Sequence, residues 1–205
     1  MEGADVAIVY LPEEQVDANN VQKTIQSYGR ECLLIPQDLR SEEGCKRVVD
    51  VVVKAWGRIH VLVNNSSVSV IMDSFYTKKQ CPNVQFSFCQ VMYDTKRIED
   101  ISTDQFVSLP SSLSSKAFAM EAKTDTSQNH TIDLNIKGTF FLTRAAVPHI
   151  GKGGSIIVTA SQVAYAGPPS LLDYTMTKAA QVGMVRALSN QLISRGIRVN
   201  AVCPG

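Results

Sequence analysis

The fold this sequence predicts is α/β, a doubly wound parallel sheet with helices on both faces, and three observations predict it. Short continuous apolar runs alternate along the chain with amphipathic helical segments, the pattern of strands buried on both faces and joined by crossover helices. The helical segments carry start and stop residues at their ends. The chain of 205 residues, 44% hydrophobic and 19% charged, is long enough for one full core, so a single domain over residues 1–205 is expected.

The elements follow in order. "DVAIVYL" (5–11) reads as the first strand. Pro12 opens a helix with acids in its first turn, Val21, Ile25 and Tyr28 at helical spacing, and Gly29 at its end. "ECLLIPQDL" is a second strand, and Ser41 is the N-cap of "EEGCKRVVDVVVKAWG", in which Cys45, Val48, Val52 and Trp56 share a face and Gly57 stops the helix. "IHVLVNN" is a third strand. A helix near 131–149, the strand "GSIIVTAS", a long helix from about 173 to 195 and the strand "IRVNAVCPG" complete the series. Between them, residues about 69–130 show no sustained period and form an irregular insertion, too long for an ordinary loop in a compact domain.

Charge and cysteine usage narrow the function. Twenty basic against 19 acidic side chains give a net charge of +1 with no long block of either sign, so neither nucleic acid nor an anionic membrane is an expected partner. The five cysteines form no CxxC pair and are odd in number, which points to a reducing compartment and a cytoplasmic setting. No run approaches the length of a membrane span, no signal-type leader opens the chain, and no metal ligand set is read.

The chemistry is concentrated in "SLLDYTMTKAA" (170–180). Tyr174 and Lys178 stand four apart in a helical run, so the phenol and the ammonium point the same way. A cation beside a phenol favours the phenolate, which suits proton transfer near neutrality. Taken alone, the spacing also fits an ordinary helix surface.

In order, "DL" (38, 39), "NNSS" (64–67), "NIKG" (135–138), "TAS" (159–161), "YTMTK" (174–178) and "RVNAVCPG" (198–205) resemble the short-chain dehydrogenases/reductases. Those are nicotinamide-dependent oxidoreductases on a Rossmann sheet. Outside the middle the likeness runs over roughly 140 residues, and its phrases are most similar to the branch of plant glucose and ribitol dehydrogenase homologues and NADPH-dependent aldehyde reductases. The resemblance implies that Tyr174 is the catalytic acid/base, that Lys178 binds the cofactor ribose and lowers the tyrosine pKa, and that Ser161 holds the substrate oxygen. It further implies that Asn135 interrupts its helix and holds a water in a proton relay. For the cofactor it implies Asp38 and Leu39 at the adenine, Asn64 beside the ribose, and Pro204 and Gly205 passing the nicotinamide. NADP(H) ranks slightly ahead of NAD(H): "YLPEE" offers Glu13 and Glu14 but no cation for a 2′-phosphate, whereas the most similar branch includes NADPH users. A small carbonyl or alcohol substrate (aldehyde, ketone, sugar or polyol) and a homo-oligomer are implied as partners. Val182, Val185 and Leu192 are candidates either for a dimer interface or for ordinary core.

The sequence departs from the family's pattern in three places. It has no TGxxxGxG turn to cradle a pyrophosphate. "EGADVAIVY" corresponds to the family's second strand, so the fold is expected to lack the family's first and last strands. "NNSS" stands where NNAG is usual, with two hydroxyls where the backbone approaches the cofactor. In a sheet ordered 3-2-1-4-5-6, loss of strand 1 separates "DVAIVYL" and "ECLLIPQDL" from "IHVLVNN" and orphans two strand edges, at about 1–3 kcal/mol for each unpaired buried group. Poor folding of the chain alone is therefore expected. An incomplete or mis-spliced gene product, with a plastid transit peptide among what could be lost, and a catalytically inactive fragment acting through dimer-type association are the alternatives to an active oxidoreductase.

Overall fold

The structure, a computed structural model, describes residues 3–68, 130–168 and 171–205. The expected insertion therefore lies almost wholly outside the described residues. The strands are β1 (Val6–Tyr10), β2 (Cys32–Pro36), β3 (Ile59–Asn64), β4 (Ile150–Thr159) and β5 (Arg198–Val202). The α-helices are α1 (Gln15–Ser27), α2 (Glu42–Trp56), α3 (Thr139–Ala146), α4 (Val163–Ala166) and α5 (Leu172–Leu192), with a π-helical turn, Asp133–Gly138, leading into α3.

Local chemistry explains most boundaries. Pro12 opens a 3-10 turn that runs into α1. Ser41 Oγ accepts from the Gly44 N–H at the start of α2, and Gly57, at φ 76°, ends it in the left-handed conformation that glycine adopts without strain. The α2 stripe packs inward as its spacing predicts, with Cys45, Val48, Val49 and Val52 buried. Two features were not expected. The strand β4 begins at Ile150, several residues before "GSIIVTAS", and the short helix α4 follows it.

Among the described residues all pairings are parallel, but they form two sheets instead of one. β1 pairs with β2, while β4 lies between β3 and β5. Among the described residues, the second edges of β1 and β3 thus have no partner strand, as expected from the sequence. A cleft of about 250 Å³ lies between them, walled by Ala7, Ile8 and Val9 of β1 and by Val63 and Asn64 of β3. The core continues beneath it: α2 and α3 pack together, joined by the Arg144–Glu42 ion pair, and their apolar faces merge with Ile156 and Val158 of β4.

Candidate active site

The site grows from the end of the central strand β4. Thr159 is its last residue, and its carbonyl accepts a 2.6 Å hydrogen bond from Lys178 Nζ on α5. Lys178 is only 1% exposed. Burial lowers its pKa from the ordinary 10.5. Tyr174 lies one turn earlier on α5, with Lys178 Nζ 5.4 Å from its ring centroid. The two side chains therefore face the same way, as their spacing predicts.

Ser161 lies two residues beyond Thr159. Its Oγ accepts from the Val163 N–H at 3.3 Å, which leaves the hydroxyl proton available to donate. The next residue, Gln162, donates its N–H to the Pro204 carbonyl at 2.9 Å, so the Pro204–Gly205 turn is tied to the same strand end.

Asn135 joins this group through the π-helical turn. Its Oδ1 accepts from the Val68 N–H at 2.8 Å, and its Nδ2 donates to the Val68 carbonyl at 2.8 Å and to Thr177 Oγ1 at 3.0 Å. Both amide hydrogens are thus used. A π turn widens the helix by one residue and is common at functional sites, and here it turns the side chain toward α5.

The expected cofactor contacts separate into two groups. Leu39 and Asn64 line the cleft between the sheets, with Asn64 buried and its Nδ2 donating to Thr143 Oγ1 at 3.0 Å. Asp38 turns elsewhere: its carboxylate takes both the backbone N–H and the guanidinium of Arg40, whose hydrogen bond holds the Asp38 pKa below its usual value. Adjacent glycine chemistry closes this wall. A Cβ at Gly138 would lie 2.9 Å from the Leu39 carbonyl oxygen, so only glycine lets the π turn approach that backbone without displacement.

The family model described as enoyl-(acyl carrier protein) reductase matches residues 1–81 and 104–205. The chain belongs to the short-chain dehydrogenase/reductase family. Over 209 residues it is 36% identical to NADPH-dependent aldehyde reductase 1, chloroplastic, of Arabidopsis thaliana, covering 100% of this chain and 57% of that protein. It is 34% identical over 210 residues to the glucose and ribitol dehydrogenase of Daucus carota, again covering 100% of this chain and 57% of the relative. Among solved structures, a short-chain dehydrogenase from Burkholderia cenocepacia in complex with NADP aligns with a TM-score of 0.70 at 26% identity, over 100% of this chain and 64% of that one. This short-chain dehydrogenase/reductase chain thus spans a little over half the length of the curated relatives it matches.

Sequence reasoning missed Thr159, Thr177 and Gln181. Thr177 and Gln181 were within reach of the spacing, because they flank Lys178 on the helix face that also buries Val182, Val185 and Leu188. Buried polar residues on an inward face need partners, and that is the signal. The Thr159 contact is made by backbone and has no sequence signature. Val182, Val185 and Leu192 are all buried within the chain, as ordinary core residues are.

Proposed function

We propose that the chain carries the proton-transfer centre of a nicotinamide-dependent oxidoreductase that interconverts a carbonyl and an alcohol. One observation carries the reading: a buried ammonium, fixed to the Thr159 carbonyl at the end of the central strand, stands beside Tyr174, and Ser161, two residues beyond Thr159, has a hydroxyl proton available to donate.

The residues present fit the nicotinamide and ribose half of the cofactor. Lys178 Nζ has three protons and gives one to Thr159, which leaves two for ribose hydroxyls. Asn64 offers a polar wall in the cleft, and Pro204 and Gly205 lie beside the strand end. A bound nicotinamide nucleotide would supply the hydride to the carbonyl carbon. Ser161 donates to the carbonyl oxygen and orients it, and Tyr174 delivers its hydroxyl proton to that oxygen as negative charge develops there. The neighbouring ammonium stabilises the charge left on the tyrosine oxygen. In alcohol oxidation the same groups run in reverse.

NADP(H) is preferred to NAD(H), supported by the NADPH-dependent plant relative and the NADP-bound solved relative. The substrate class is an aldehyde, ketone, sugar or polyol, supported by the names of the plant relatives. A homo-oligomer and a cytoplasmic setting complete the reading, the setting supported by the free state of Cys32, Cys45 and Cys203 among the described residues. No described helix is long and apolar enough to cross a membrane.

The test is NADPH binding to the purified chain by fluorescence, followed by NADPH oxidation with a panel of aldehydes and sugars. Tyr174→Phe is expected to bind NADPH as the parent does and to lose turnover by about 10²–10⁴-fold. A parent chain that fails to bind NADPH, or a Tyr174→Phe variant that turns over at the parent rate, would overturn the proposal.

A further inference from the structure

We infer that Gln181 is a positioning residue that locks the Asn135 turn onto the helix carrying Tyr174 and Lys178. Its catalytic consequence rests on the function proposed above; its structural part does not. Gln181 is 2% exposed. Its Nε2 donates to the Asn135 carbonyl oxygen at 2.8 Å and to Thr139 Oγ1 at 3.2 Å, and that hydroxyl itself donates to the Asn135 carbonyl at 2.9 Å. Two side-chain donors thus converge on one backbone oxygen inside the π turn.

The second anchor lies four residues earlier on the same helix face. Thr177 Oγ1 accepts from Asn135 Nδ2 at 3.0 Å and donates to the Tyr174 carbonyl at 2.8 Å. Asn135 is therefore held at its side chain by Thr177 and at its backbone by Gln181, with Lys178 between them on α5. The turn cannot slide along α5 without breaking one of these bonds, and each break would leave a buried polar atom unpaired.

The choice of glutamine is informative because it carries a cost. Its Oε1 is buried and has no hydrogen-bond partner among the described residues, which is unfavourable for stability. Leucine or methionine would fill similar space on this apolar face without an orphan acceptor. What glutamine adds over them is the pair of donated bonds to the turn.

The experiment compares Gln181→Met and Gln181→Glu with the parent full-length chain. Gln181→Met removes both donors while keeping the length of the side chain. The Asn135 carbonyl carbon and side-chain amide resonances are expected to move in its NMR spectrum, with NADPH affinity within about twofold of the parent and kcat down about tenfold, the effect of one hydrogen bond of ordinary net strength. In Gln181→Glu a protonated carboxyl can still donate to the Asn135 oxygen and an ionised one repels it. Its kcat is expected to recover toward the parent as pH falls, a dependence that a purely space-filling role would not produce. Unmoved Asn135 resonances in Gln181→Met overturn the structural inference, whether or not the parent turns over. Moved resonances with unchanged kcat, or a Gln181→Glu loss that ignores pH, overturn its catalytic part. A parent chain without turnover fails the proposed function instead, and the resonances then decide the Gln181 lock alone.

Discussion

The central strand of the three-stranded sheet, β4, has neighbours along both edges, and Ile156 and Val158 on it are fully buried. In the two-stranded sheet, β1 has one neighbour among the described residues, and only Tyr10 of its five residues is buried. The helices follow their sheets. α5, packed against β5 and the π turn, buries seven side chains, whereas α1 buries only Ala18 and leaves Val16 71% exposed. Apolar strand sequence is similar in the two regions; what differs is the number of walls around it. Burial in an α/β fold is a property of neighbours, and a run such as "VAIVY" acquires it only where a partner strand lies alongside.

The candidate site follows the same division. Thr159, Ser161, Tyr174, Lys178 and Asn135 all rest on the three-stranded region, while β1 contributes only the far wall of the cleft. The groups proposed for proton transfer therefore stand on the better-packed part of the chain, and the cleft lies between that part and the weaker one.

Substitutions can break this contrast. The largest expected effect is Ile156→Ala, which empties a fully enclosed position in β4 and should cost about 2–5 kcal/mol in urea unfolding. Ile8→Ala in β1, at a partly exposed position, should cost well under half of that. Equal losses would mean that the two sheets are equally packed. Gly138→Ala comes next, since its Cβ would meet the Leu39 backbone oxygen at 2.9 Å. A loss of about 1–3 kcal/mol is expected, and a neutral result would mean that the seam between the π turn and the loop after β2 is loose.

A pH series sharpens the contrast further. The Lys178 pKa is lowered in the fold by burial, so between its folded value and the ordinary 10.5 the unfolded chain binds more protons and stability rises with pH. Lys178→Met should flatten that rise. Asp38, in the loop after β2, gives the same sign in the acid range by a different cause: the Arg40 hydrogen bond lowers its pKa, and its stabilising contribution is lost as pH falls through that lowered value. The smallest effect is expected at Val61 and Val63, exposed on β3 at 54% and 53%. Replacing either with Thr should change stability by no more than about 0.5 kcal/mol.

Much of this was legible in the sequence. The five strands, the Ser41 cap and the Gly57 stop rest on local chemistry, and the Tyr174–Lys178 pair rests on helical spacing. The split sheet was legible too, because strand order follows from the family's topology. The π turn was legible only through the resemblance at Asn135, since one inserted residue leaves no periodic trace. The early start of β4 was hidden by Gly151, Lys152 and Gly153, which are poor strand formers. The bonds from Lys178 to Thr159 and from Gln181 to Asn135 end on backbone carbonyls, and no side-chain pattern announces such an acceptor.

Native-state hydrogen exchange on the intact chain tests the central contrast most directly. Amides of β4 and β5 are expected to exchange only through global unfolding, and those of β1 and β2 through a smaller opening with at least tenfold lower protection. Equal protection in both sheets, rising and falling together with denaturant, would contradict the division on which the placement of the site depends.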